Sequence, residues 1–81
     1  MIFTPFIISN HSKMRLQLLE SETADQYVGY NILYKSRNVI KMSTIIGVSE
    51  TGKTIHVEDP ELNNMLQTVT RKIYLIIHDQ S

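Results

Sequence analysis

Apolar and polar residues alternate along most of this chain, the two-residue period of half-buried strands. Lys13 to Glu20 sets Met14, Leu16 and Leu18 on one side and Lys13, Arg15 and Gln17 on the other. Tyr27 to Lys35 groups Val28, Tyr30, Ile32 and Tyr34, with Leu33 and Lys35 opposite. Val39 to Val48 groups Ile40, Met42, Thr44, Ile46 and Val48, and Lys53 to Glu58 groups Ile55 and Val57. Each of these sets is predicted to face the core. Ile2 to Ser9 reads as a further strand, placed at an edge because Pro5 has no N–H to give to a ladder. Ile73 to Ile77 is a continuous apolar run, which predicts a central strand covered on both faces.

Polar clusters interrupt the pattern at Asn10-His11-Ser12, Ser21 to Gln26 and Lys35-Ser36-Arg37-Asn38. The second is acidic and suits a short helical turn capped by Ser21 or Thr23. After Glu58 the period changes. Asp59 stands as an N-cap, Pro60 takes the first helical position and Glu61 places an acid in the first turn. Leu62, Met65, Leu66 and Val69 then recur at helical spacing, which predicts a short helix over about 60–69. The expected fold is mainly β, a β-rich α+β chain. It is a small antiparallel rolled sheet or SH3-like barrel of five to six strands, with that helix before the last strand and all of 1–81 in one domain. Over residues 27–78 the layout is similar to that of the small SH3-like barrels. The likeness lies in element order alone and carries no site residue with it.

Gly47-Val48-Ser49-Glu50-Thr51-Gly52-Lys53-Thr54 has the spacing of a phosphate loop. Such a loop cradles phosphates only if it opens into a helix whose N-terminus faces the anion. Ile55-His56-Val57-Glu58 alternates instead, and Pro60 would stop a helix begun at Lys53. Phosphate-loop folds also need crossover units of about 30 residues or more each, and the chain has 81 residues. The string is therefore expected to be a hairpin turn, and nucleotide binding at 47–54 is the weakest functional reading. Ile46 and Val48 must share a side with Ile55 and Val57, which demands an even loop. A two-residue loop at Thr51-Gly52 would pair Val48 with Ile55 but risks a β-branched Thr51 at positive φ. A four-residue loop from Ser49 to Gly52 pairs Ile46 with Ile55 and needs only Gly52 in the left-handed region, so it is preferred.

Eight Lys and Arg balance eight Asp and Glu, so bulk charge does not drive binding to polyanions. Zero net charge also leaves self-association unopposed. A domain of this size buries about 60% of its unfolded surface, so a homodimer or a bound partner would add to a modest stability. The absence of Cys excludes disulfides, thiolate metal sites and Cys nucleophiles, and suits a reducing compartment. Met1 to Ser9 is apolar but brief, interrupted by Pro5 and without a cleavage pattern. No stretch reaches the roughly 20 apolar residues that span a bilayer. The expectation is a cytoplasmic protein that neither enters a membrane nor carries a small-molecule cofactor.

His11, His56 and His78 lack the spacing of a metal-ligand set. No Ser or Thr sits in a nucleophile elbow. The carboxylates cluster at Glu20/Glu22/Asp25 and Glu58/Asp59/Glu61, the latter fitting charge at a helix N-terminus. No catalysis is expected. The cations are less evenly spread: Lys35, Arg37 and Lys41 surround one turn, and Arg71 and Lys72 enter the last strand. With Tyr34 for stacking, they form a candidate surface for RNA or other single-stranded nucleic acid. The alternative is a protein-interaction module or inhibitor, for example a virus- or phage-encoded antagonist of a host factor. It would work through a strand edge or an apolar patch of Leu19, Leu33, Val39 and Ile45.

Overall fold

The computed structural model of the chain describes residues 12–80. The expected first strand, Ile2 to Ser9, lies outside the described residues. Among the described residues seven strands form two antiparallel sheets. A four-stranded sheet runs in the order β1 (Ser12–Leu18), β7 (Ile73–Gln80), β2 (Asn31–Ser36), β3 (Val39–Thr44). A three-stranded sheet is built from β4 (Gly47–Val48), β5 (Thr54–His56) and β6 (Met65–Gln67). The mainly β, antiparallel class is thus as the alternation predicts, with the strands divided between two sheets.

The two sheets share one core. Ile32 and Tyr34 of β2 and Ile73 and Leu75 of β7 meet Ile55 of β5 and Leu66 of β6, with Leu19, Ala24, Ile45 and Val57 closing the gaps. Ala24 comes from a 3-10 helix over Ser21–Tyr27, at the position the acidic cluster predicted, though no side chain caps it. Ile45 is fully buried where the chain leaves β3 for β4. Its carbonyl accepts from Gly29 N–H and its N–H donates to the Tyr30 carbonyl. Leu19 and Ile45, expected in a surface patch, are therefore core residues.

Two faces are inverted relative to expectation. Met14, Leu16 and Leu18 of β1 share a side, as do Ile40 and Met42 of β3, but that side is open: Leu16 is 51% exposed and Ile40 70%. The β2–β3 turn sets the parity. Arg37 and Asn38 both take positive φ, 54° and 65°, so only two residues separate Ser36 from its partner Val39. Tyr34 then lies opposite Lys41, and Leu33 opposite Met42. With Tyr34 in the core, Lys41 must point inward and Met42 outward. β7 is central, as expected; on the side away from the core Ile76 is buried, 8% exposed, whereas Tyr74 is only half-buried.

The expected helix over 60–69 is also replaced. Only Pro60–Leu62 is helical, a single 3-10 turn. Asn63 and Asn64 then adopt left-handed conformations, φ 58° and 60°, and Met65–Gln67 returns to extended structure as β6. Asn tolerates this region, and the Asn64 side chain secures the turn by accepting from Asp59 N–H at 2.9 Å. Asp59 makes no N-cap hydrogen bond. Leu66 still reaches the core, now from a strand opposite Ile55.

The region after Lys53 is extended, as predicted: Thr54–His56 is β5. The register is the one expected of the two-residue alternative and not of the preferred loop, which would have paired Ile46 with Ile55. Val48 pairs with Ile55, Ser49 N–H donates to the Thr54 carbonyl, and Glu50 to Lys53 form the four-residue connection. Gly52 supplies the left-handed residue, φ 77°. It is buried against the start of the 3-10 helix, and an added Cβ would lie 1.9 Å from the Ser21 carbonyl oxygen. No helix of the described residues is long and apolar enough to cross a membrane.

Candidate functional site

The outward side of the four-stranded sheet is left open and carries large apolar side chains. Register assigns to it Met14, Leu16 and Leu18 from β1, Tyr74, Ile76 and His78 from β7, Asn31, Leu33 and Lys35 from β2, and Ile40, Met42 and Thr44 from β3. Met14, Leu16, Leu18, Ile40 and Met42 are each between 47% and 70% exposed. A solvated sheet face would present polar residues here. A contiguous apolar surface of this kind marks an interaction site.

The face is not flat. Leu33 and Tyr74, paired across the two middle strands, are half-buried, whereas Leu16 and Ile40 on the outer strands stand clear. A groove of about 380 Å³ results, its lining almost wholly apolar, with Lys35 and Lys72 the only charged groups on it among the described residues. No outward position of the four strands is Asp or Glu by register. Among the described residues neither Lys35 nor Lys72 has an acidic partner.

The residues expected to bind nucleic acid fall into two groups. Lys35, Arg37, Arg71 and Lys72 share the corner where the β2–β3 turn meets the start of β7. There Arg71 Nη1 donates to the Lys35 carbonyl, leaving the Lys35 ammonium exposed. Tyr34 and Lys41 belong to the opposite side of the sheet. The Tyr34 ring is buried, 3% exposed, and offers no stacking surface. Its hydroxyl donates to Asp59 Oδ2 at 2.6 Å and lies 3.1 Å from Ser43 Oγ. Lys41 Nζ sits 3.1 Å from both Asp59 oxygens and 2.6 Å from Glu61 Oε1.

This network joins the two sheets. β2 and β3 supply Tyr34, Lys41 and Ser43, and the 59–61 segment between β5 and β6 supplies the carboxylates. Asp59 is itself buried, 5% exposed. The Tyr34 hydrogen bond, reinforced by Lys41, holds its carboxyl below the ordinary range against the opposing effect of burial. Burial, then the bond to Asp59, pushes the Tyr34 phenol up. Glu61, then Asp59, raises the Lys41 ammonium, and Lys41 in turn lowers Glu61. Each group favours the state in which the network is formed. Sequence reading missed it because Asp59 fits a helix cap equally well; only the parity of the β2–β3 turn points Lys41 at it.

His56 on β5 and His78 on β7 are exposed, and His11 lies outside the described residues. Among the described residues no three His, Asp or Glu side chains converge as a metal site. Gly47 to Thr54 forms a strand end, a turn and a strand start, without the helix that a phosphate loop requires. No family model matches the chain, and no curated protein or solved structure matches it either.

Proposed function

We propose that this chain is a non-enzymatic binding module that recognises a protein through the open face of its four-stranded sheet. The observation that carries this reading is the exposure of Met14, Leu16, Leu18, Ile40 and Met42 on one surface. Nucleic-acid binding, the first expectation from sequence, has less support. Bases are held by stacking on aromatic rings. The face offers one aromatic, the half-buried Tyr74, among aliphatic side chains. Tyr34 is in the core and Lys41 is already paired with two carboxylates, which leaves Lys35, Arg37, Arg71 and Lys72 as phosphate contacts. An inhibitor that masks a partner's surface fits the same geometry. A Cys-free chain suits a reducing setting, and the cytoplasm is the compartment we assign.

The test is capture from cell extract, with and without nuclease treatment, on the wild-type chain and on the Leu16→Asp and Ile40→Asp variants, with thermal melts confirming their fold. A protein retained by the wild type and lost from both variants is the expected result. Recovery of nucleic acid instead, weakened by salt and by Arg37→Glu, would overturn the reading in favour of RNA.

A further inference from the structure

We infer that the partner segment is an acidic amphipathic peptide, whose aliphatic side chains fill the groove beside Leu16 and Ile40 and whose carboxylates meet Lys35 and Lys72. This deepens the protein-binding reading and rests on it. The inference follows from how charge is distributed. The chain has as many acids as bases, yet the outward positions of the four-stranded sheet carry Lys35 and His78, with Lys72 at the groove, and no Asp or Glu. Lys35 and Lys72 are exposed and stand next to each other, because Tyr34 pairs with Ile73 in the β2–β7 ladder. They have no acid to answer them among the described residues, whereas Lys41, one strand away on the other side, has two.

Complementary charge sets the register and selects against wrong partners at an otherwise apolar interface. A second copy of this chain would bring the same cations to the interface and no carboxylates, which disfavours self-pairing through this face. A groove of about 380 Å³ is in the size range of a site that encloses a few anchor side chains. An amphipathic helix laid in such a groove presents anchors three and four residues apart, with charges along its flank.

The probe is a pair of fluorescent synthetic amphipathic helices of about four turns. One has a leucine face flanked by glutamates, and the other has the same face flanked by lysines. The wild-type chain is expected to bind the glutamate peptide at least tenfold more tightly. The Lys35→Glu/Lys72→Glu variant should reverse that preference, and Leu16→Asp should abolish binding of both. Equal affinity for the two peptides, lost in Leu16→Asp, would overturn the acidic partner while leaving the apolar face as the binding surface. No binding of either peptide overturns the inference. If extract proteins are also retained equally by Leu16→Asp and Ile40→Asp, the protein-binding reading falls with it. Preferential binding to phosphatidylglycerol vesicles or to an RNA oligonucleotide would assign the same cations to a lipid surface or to phosphates.

Discussion

Lys41 stands directly across the β2–β3 hairpin from Tyr34, and the two side chains converge on one carboxylate, that of Asp59. A backbone register is thereby locked by a side chain from the segment that joins β5 to β6. Tyr34→Phe removes the donor and leaves the buried carboxylate one hydrogen bond short, a change of about 1.5–3 kcal/mol for a bond to a charged group. Urea unfolding of the two proteins should show the variant's midpoint lowered with an unchanged slope.

The same carboxylate predicts how stability depends on pH. Its pKa is lowered on folding from the ordinary 3.8. The stabilisation is therefore complete above about pH 4 and fades as pH falls through the lower folded value. Melting temperatures between about pH 6 and pH 2 should drop at the acid end. In Asp59→Asn the stability should be lower throughout and its acid dependence shallower. An unchanged acid limb in that variant would mean that other carboxylates govern it.

Lys41→Glu would place a third acid beside Asp59 and Glu61, so it is expected to destabilise the fold. Lys72→Glu, on the open corner, should leave stability within about 0.5 kcal/mol of the wild type. Paired melts separate the two. Charge substitutions aimed at binding therefore belong at Lys35 and Lys72.

Gly52 and Gly29 both take positive φ, 77° and 96°, but differ in space. A Cβ at Gly29 would meet nothing within 4 Å, whereas one at Gly52 would collide with the Ser21 carbonyl oxygen. Gly29→Ala should cost about 1 kcal/mol, the backbone penalty alone. Gly52→Ala should cost several times that, or prevent folding, by forcing the hairpin away from the 3-10 helix. Equal melting temperatures would contradict the packing at Ser21.

Arg37 is a bulky residue held at φ 54° in the two-residue turn. Asn adopts that conformation more readily. Arg37→Asn should raise stability by about 0.5–1 kcal/mol, visible as a higher denaturation midpoint.

β1, β2, β3, β5 and β7 were legible because their two-residue period is strong, and Gly52 announced its own turn, whereas β6 and the break between β3 and β4 were not. Which face of each strand would be buried was not. Met14, Leu16, Leu18, Ile40 and Met42 are as apolar as Ile32 and Leu75. Alternation shows that a strand has two sides without showing which one the rest of the chain covers. For β3 that choice was made by the left-handed pair Arg37-Asn38, which a polar tetrad at 35–38 does not reveal, and for β1 by its register on β7, where Leu18 meets Tyr74. A second left-handed pair, Asn63-Asn64, overrode the helical spacing of Leu62, Met65, Leu66 and Val69. Asp59 does precede a helical start, but its carboxylate serves partners that lie 18 and 25 positions away in sequence, which local spacing does not show.

The separation of charge described for the open sheet also bears on how this molecule moves toward others. With as many acids as bases it has no net pull on a distant ion. Even so, Lys35 and Lys72 are charges on a face whose outward strand positions hold no Asp or Glu. In the field of an acidic partner of the kind proposed above, these two ammonium groups would feel a torque that turns the sheet toward contact. Dilute electrolyte would lengthen the reach of that torque and speed association, and concentrated electrolyte would leave orientation to chance collisions.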